Sequence, residues 1–198
     1  MDKKKTIKNH THVFAILSVF MTISLCLPFL ISSEESVFLV NKNDSFVRVK
    51  LNVSSIHKFT GKLKEYKADF RYDEEKNIVT RGDFSFNISD LKTGSKKRDK
   101  KMLKWADHLT HPDSRFTKIS ESIKEGKRIL IGDFEMHGVK KQLNVPFTFS
   151  IKENKFKIDG NCTLDYRDFS LPVIKLLFLK VKPAMKIEFH FEGQIIRK

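Results

Sequence analysis

The chain has 198 residues, 40% of them hydrophobic and 31% charged, with a formal charge of +14. That length suits one domain rather than two, and the apolar content excludes a chain disordered throughout. A basic surface suits nucleic acid, anionic lipid headgroups or an acidic envelope polymer, and it is also a common solvated surface.

In chain order, the first 33 residues hold four lysines (Lys3, Lys4, Lys5, Lys8) and one acid, Asp2, so most of the positive charge belongs to residues 34–198. An uncharged apolar run extends from Val13 to Ile31 and ends in SSEES. A basic start, an apolar stretch and then small polar residues form the layout of a secretory signal. Cleavage is expected after Ser33, which makes 1–33 a signal peptide or membrane anchor and 34–198 one folded domain. The run is also long enough to stay as an anchor, since about 20 residues span a bilayer, and Cys26 offers a lipidation site. All three routes place the domain outside the cytoplasm. The expected location is periplasmic or secreted, with anchoring through the N-terminal segment as the variant. Without the leader Cys162 stands alone, so no internal disulfide is expected.

Period-2 alternation dominates the rest. Val47, Val49, Leu51 and Val53 share one face, as do Tyr66, Ala68, Phe70 and Tyr72, then Phe84, Phe86 and Ile88. The spacing of Met102, Trp105, Ala106 and Leu109 then predicts one helix, stopped by Pro112. Alternation resumes with RFTKIS at 115–120, then Leu130, Phe134 and Met136, with a turn at His137-Gly138. Leu143, Val145, Phe147, Phe149 and Ile151 align next, followed after Glu153-Asn154 by Phe156, Ile158, Cys162 and Leu164. Met185, Ile187, Phe189 and Phe191 close the series. Strands with one buried face pair antiparallel, and eight at short spacing imply a barrel or sandwich. The expected fold is all-β: an eight-stranded antiparallel barrel with one helical insertion.

The inward faces are almost wholly Phe, Ile, Leu, Val and Met. There are 18 Phe against 1 Trp and 3 Tyr, and Phe is the ring type with no polar handle. A barrel of eight strands is either filled by side chains or hollow enough for one small ligand; periodicity alone favours the filled interior. The stretch from Pro172 to Pro183 is apolar and basic, bounded by prolines. Ile174, Leu176, Leu177, Phe178 and Leu179 are its candidate contacts with an anionic membrane; a buried connector or bulged strand is the other reading.

Several segments, in order, resemble the YceI-like family of exported bacterial proteins associated with polyisoprenoid binding. SSIHKFTG matches an early segment and places His57, Phe59 and Gly61. FNISDLKTGSKKRDKKML matches a strand leading into an Arg-Asp helix and places Arg98, Asp99 and Met102. HPDSRF and DFEMHGVKKQLNVPFTF match the following strand entry and hairpin. The resemblance runs from about Ser45 to the C-terminus. It implies a lipocalin-like barrel around a long apolar tunnel for an isoprenoid or similar fatty amphiphile, partly covered by the helix. The chain departs from the family pattern in having Lys100, Lys101 and Met102 where a His-Leu pair is more familiar, and in its basic charge. The expected lining is Val49, Leu51, Phe70, Phe86, Phe134, Met136, Phe147 and Phe149, with Met102 and Trp105 from the helix.

Other chemistries find less support. His108 and His111 are three apart, but Pro112 follows and no acid or Cys is expected to complete a ligand set. No metal or cofactor is therefore expected. There is no nucleophile elbow and no phosphate-cradling loop, so an enzyme is not expected. The lysines are scattered without an aromatic stacking platform, and nucleic acid is not expected. The remaining reading is an envelope interaction module whose basic outer face binds an acidic partner or membrane surface around a packed core. A homodimer is left open.

Overall fold

The fold is described by a computed structural model for residues 35–52, 58–176 and 179–197, without the side chains of 175, 176, 179 and 180. Residues 1–34, which hold the expected signal or anchor segment, and Val53, His57, Leu177 and Phe178 lie outside the described residues. Among those described, no helix is long and apolar enough to cross a membrane.

The chain enters as β1 (Glu35–Val40), turns at 41–45 and continues as β2 (Phe46–Asn52). Both pair antiparallel with the last strand, β13 (Ala184–Ile196): Val37 faces Ile196, and Leu51 faces Met185. They are two halves of one bent arm. At the bend the Asn41 N–H donates to the Glu192 carbonyl at 2.8 Å, and the Glu192 N–H donates to the Ser45 hydroxyl at 3.1 Å. The backbones approach so closely that a Cβ on Gly193 would lie 1.9 Å from the Leu39 carbonyl oxygen. Only glycine fits there.

The second arm is also broken, into β3 (Lys58–Leu63) and β4 (Lys67–Asp73). The third consists of β5 (Ile78–Asn87) and the short β6 (Leu91–Lys92). After the helix α1 (Lys96–Trp105) come β7 (Asp113–Lys124), β8 (Lys127–Met136), β9 (Val139–Lys152) and β10 (Lys155–Asp165). A 3₁₀ turn at Tyr166–Phe169 and a hairpin of β11 (Lys175–Leu176) and β12 (Leu179–Lys180) lead into β13. Pairing runs β1-β4-β5-β7-β8-β9-β10-β13 and returns to β1. The ring is the closed eight-stranded antiparallel barrel expected from the alternation, with one α-helix among the described residues.

The burial pattern follows the pleat. On β10, Phe156, Ile158 and Leu164 are buried while Lys155, Lys157 and Asp159 are exposed. Tight turns join the last strands. Glu125-Gly126 has φ of 51° and 73°, and His137-Gly138 has φ of 53° and 72°; two positive values in succession are the hairpin geometry that matches strand twist.

The barrel has two unlike ends. One, the turn pole, carries the β4–β5, β7–β8 and β9–β10 turns. The other, the cap pole, carries α1, the 3₁₀ turn, the β11–β12 hairpin and the β8–β9 turn. None of the α1 residues is buried. The Ser95 hydroxyl caps the helix by accepting from the Arg98 N–H at 3.4 Å. The Asp99 carboxylate accepts from the Thr93 N–H at 2.9 Å, and an Arg98 Nη donates to the Thr93 carbonyl at 2.9 Å. Adjacent residues thus grip the chain on both sides of Thr93. The Thr93 hydroxyl beside Asp99 holds its carboxyl below the usual Asp range. The helix ends at Trp105, earlier than the apolar spacing predicts. Asp107 adopts φ of 44°, which breaks the helical path, and Leu109 becomes an exposed residue beyond it.

Candidate functional site

The interior is organised as two apolar clusters with a chamber between them. At the turn pole, Phe38 stacks on Phe156 with centroids 4.3 Å apart and planes 12° apart. Phe149 lies 5.7 Å from Phe38 and 4.8 Å from Tyr72. Beside these rings sits Arg128, its guanidinium 5.4 Å and 5.2 Å from the Phe147 and Phe149 centroids. Its Nε donates to Glu121 at 2.5 Å, and its two Nη atoms donate to the Asn77 side chain and carbonyl at 3.1 and 2.7 Å. Glu121 also accepts from the Val79 N–H at 2.9 Å, and Tyr72 donates its hydroxyl to Asn77. A half-buried ion pair is tolerated when its remaining valences are filled in this way.

At the cap pole, Tyr166 and Phe169 are 0% and 1% exposed. Trp105 meets the Tyr166 ring edge-on at 5.3 Å and donates its Nε1–H to the Pro172 carbonyl at 2.8 Å. The Tyr166 hydroxyl accepts from the Ile174 N–H at 3.2 Å. Met136, Leu171 and Met185 fill the same cluster.

The chamber between these plugs has a volume of about 120 Å³. Its wall is built from Val, Leu, Ile and Phe side chains, the bare backbone of Gly82 and the single thiol of Cys162; no described lining residue is charged. Inward glycines create the space. Phe189 lies across Gly160, where a Cβ would fall 2.2 Å from the ring's Cζ. Phe116 lies across Gly132 in the same way, at 2.4 Å. Rings flattened against a bare wall do not project into the centre. Burial pushes the Cys162 thiol up to about 11, so it is a poor nucleophile at neutral pH. Among the described lining residues nothing offers acid–base or covalent chemistry; the chamber is suited to apolar guests.

The expected lining residues divide. Val49, Phe70, Phe86, Phe134 and Phe147 line the chamber. Leu51, Met136 and Trp105 instead pack into the cap-pole cluster, Phe149 into the turn-pole stack, and Met102 is half-buried on α1. Phe84, Phe116, Phe189 and Phe191 line the chamber in addition to the expected set; for Phe116 and Phe189 the glycines they lie against, Gly132 and Gly160, are the signal that marks them. The family resemblance implies a long tunnel, but ring clusters occupy both ends and leave a shorter chamber. In the apolar stretch, Ile174 is half-buried against the cap-pole cluster. Leu176 and Leu179 belong to the hairpin strands, and Leu177 and Phe178 lie outside the described residues.

A family model described as the YceI-like domain matches residues 38–193. Among solved structures, Burkholderia cenocepacia BcnA superposes with a TM-score of 0.71 at 18% identity, covering 79% of this chain and all of that one. The Campylobacter jejuni YceI protein gives 0.63 at 16% identity, over 71% and 87% of the two chains. A polyisoprenoid-binding domain from Saccharophagus degradans, implicated in plant cell wall breakdown, gives 0.64 at 11% identity, over 81% and 98%. No curated protein is a significant sequence match.

Proposed function

The chain belongs to the YceI-like family, and from that premise we propose that it is a non-catalytic carrier of an isoprenoid or other long-chain amphiphile, working in the bacterial cell envelope. The observation that carries this reading is the charge-free chamber held open by inward glycines under flattened rings. Phe189 and Phe116 lie over Gly160 and Gly132, and rings laid against a bare wall leave the centre of the barrel to the chamber. The polyisoprenoid-binding domain with the same fold supports the ligand class. The signal-like leader supports export, and the basic, apolar hairpin at the cap pole supports delivery from an anionic membrane.

Size limits the reading usefully. A cavity of about 150 Å³ holds a benzene ring, so 120 Å³ accommodates one branched segment of a chain. A longer ligand requires the cap-pole cluster to part. The outer face gives the rival reading, an acidic-partner module, little to work with around β13. There Lys50 and Lys186 pair with Glu188 at 2.5 and 3.2 Å, and Lys157 pairs with Glu192 at 2.9 Å.

The test is mass spectrometry of solvent extracts from protein purified under native conditions, alongside Gly160→Val. The wild type is expected to release a long-chain lipid, and the variant, whose new side chain forces Phe189 inward, to release far less. A wild-type barrel that is consistently empty would sink the proposal.

A further inference from the structure

At the rim of the cap pole, outside the chamber, three chemistry-bearing side chains from separate stretches converge. Asp107 follows α1, His111 closes the next turn, and His137 sits at the tip of the β8–β9 hairpin. The carboxylate oxygen and the two imidazole nitrogens they offer all lie within 4.8 Å of one another. We propose that Asp107, His111 and His137 form a binding site for a divalent first-row transition ion, Zn²⁺ above all, which staples the segment after α1 to the β8–β9 hairpin. This inference is independent of the lipid reading.

The donor chemistry selects the ion. Two imidazoles and one carboxylate make an N₂O set of the kind that binds zinc and its neighbours, whereas Ca²⁺ and Mg²⁺ demand oxygen ligands. The orientation of His137 is already fixed. Its Nδ1 lies 3.0 Å from the Phe169 carbonyl, which can only accept, so Nδ1 carries the proton and Nε2 keeps its lone pair. A backbone carbonyl that sets the tautomer of a metal-binding His is the usual outer support of such a site. The His111 ring stands 4.5 Å from the His137 ring at 59° and lies against bare Gly138, where a Cβ would come 3.0 Å from its Cε1. Among the described residues no side chain or backbone group hydrogen-bonds the His111 ring or the Asp107 carboxylate, so their lone pairs are unspent. Bonds of about 2.0–2.1 Å in a tetrahedron put ligands roughly 3.4 Å apart, so side-chain rotations of about an ångström close the site. Asp107 is exposed, which leaves the fourth position to water.

The experiment is calorimetric titration of the full chain with Zn²⁺, with far-UV circular dichroism to verify folding and thermal melts with and without the metal. His111→Ala and His137→Asn remove the ligands, the second keeping a residue that tolerates the left-handed turn. Asp107→Asn keeps the backbone and removes the charge, and His108→Ala is a neighbour outside the cluster. His10 and His12 in the leader contribute the same background to every variant. The wild type and His108→Ala are expected to show one saturable site and a metal-dependent rise in Tm. Both histidine variants should weaken that site by about 10–100-fold or more and lose the Tm rise, with a smaller loss for Asp107→Asn. Folded variants that bind Zn²⁺ as the wild type does would overturn the proposal. Should a histidine variant fail to fold, a wild-type Tm that does not respond to Zn²⁺, or equal binding by Asp107→Asn, overturns it as well.

Discussion

The two ends of the barrel are closed by different means. The turn pole is sealed by the strands themselves, joined in tight turns over a ring stack and a half-buried Arg128–Glu121 pair. The cap pole is sealed by added pieces: a helix with no buried residue, a 3₁₀ turn and a two-stranded hairpin, linked through a few hydrogen bonds such as Trp105 to Pro172. Breaking the first seal means breaking the barrel. Parting the second need not disturb a single ladder of the ring. On the function proposed above, a chain longer than the chamber would enter at the cap pole, where no ladder of the ring has to break.

Four measurements would break or sharpen this contrast. Phe156→Ala removes the centre of the turn-pole stack and should cost about 3–5 kcal/mol, read by urea unfolding; if trimming Leu171 at the cap pole to Ala costs more, the contrast fails. Glu121→Gln should cost about 2–4 kcal/mol, because it strands a mostly buried guanidinium; an unchanged melt would mean that Asn77 alone suffices for Arg128. Trp105→Ala should cost only about 1–2 kcal/mol, since the ring is half-buried, yet it should speed alkylation of Cys162 in the chamber wall several-fold. Equal labelling rates in the two proteins would move the entrance elsewhere. The smallest effect is acidic. The Asp99 pKa lies below its unfolded value of about 3.9, so its contribution is complete above that value and is lost as pH falls through the folded one. Proteolytic nicking around α1 at pH 3, absent at pH 6, would report it.

Much of the fold was legible because inward and outward residues alternate on every long strand, and the one helix announced itself by spacing. The broken arms were not. KFTGKL, which becomes β3, has glycine in the middle of its inward face, and Leu91 occupies the space where a Gly61 side chain would lie. The sequence around β1 likewise gives no sign of the bend at Gly193, which depends on a strand more than 150 residues away. The chamber was half legible for a related reason. Which faces turn inward is local information, but whether a Phe projects or lies flat depends on the residue across the ladder, as Gly160 does for Phe189. Nothing local pairs Asp107 with His137, because only the β8–β9 turn brings them to one rim.

The pairing order also shapes how the barrel assembles. Around the ring, each arm's neighbour in space is its neighbour in sequence, except where β13 meets β1 and β2. The meander can therefore zip locally, at little loop-closure entropy, while the final seam joins the two extremities of the domain. That seam should form last, set the folding rate, and be the first place where amides lose protection in hydrogen exchange. Until it closes, the nascent sheet has two free edges, one rich in Val and the other in Ile and Phe, and these make the late intermediate, rather than the finished barrel, the species at risk of aggregation.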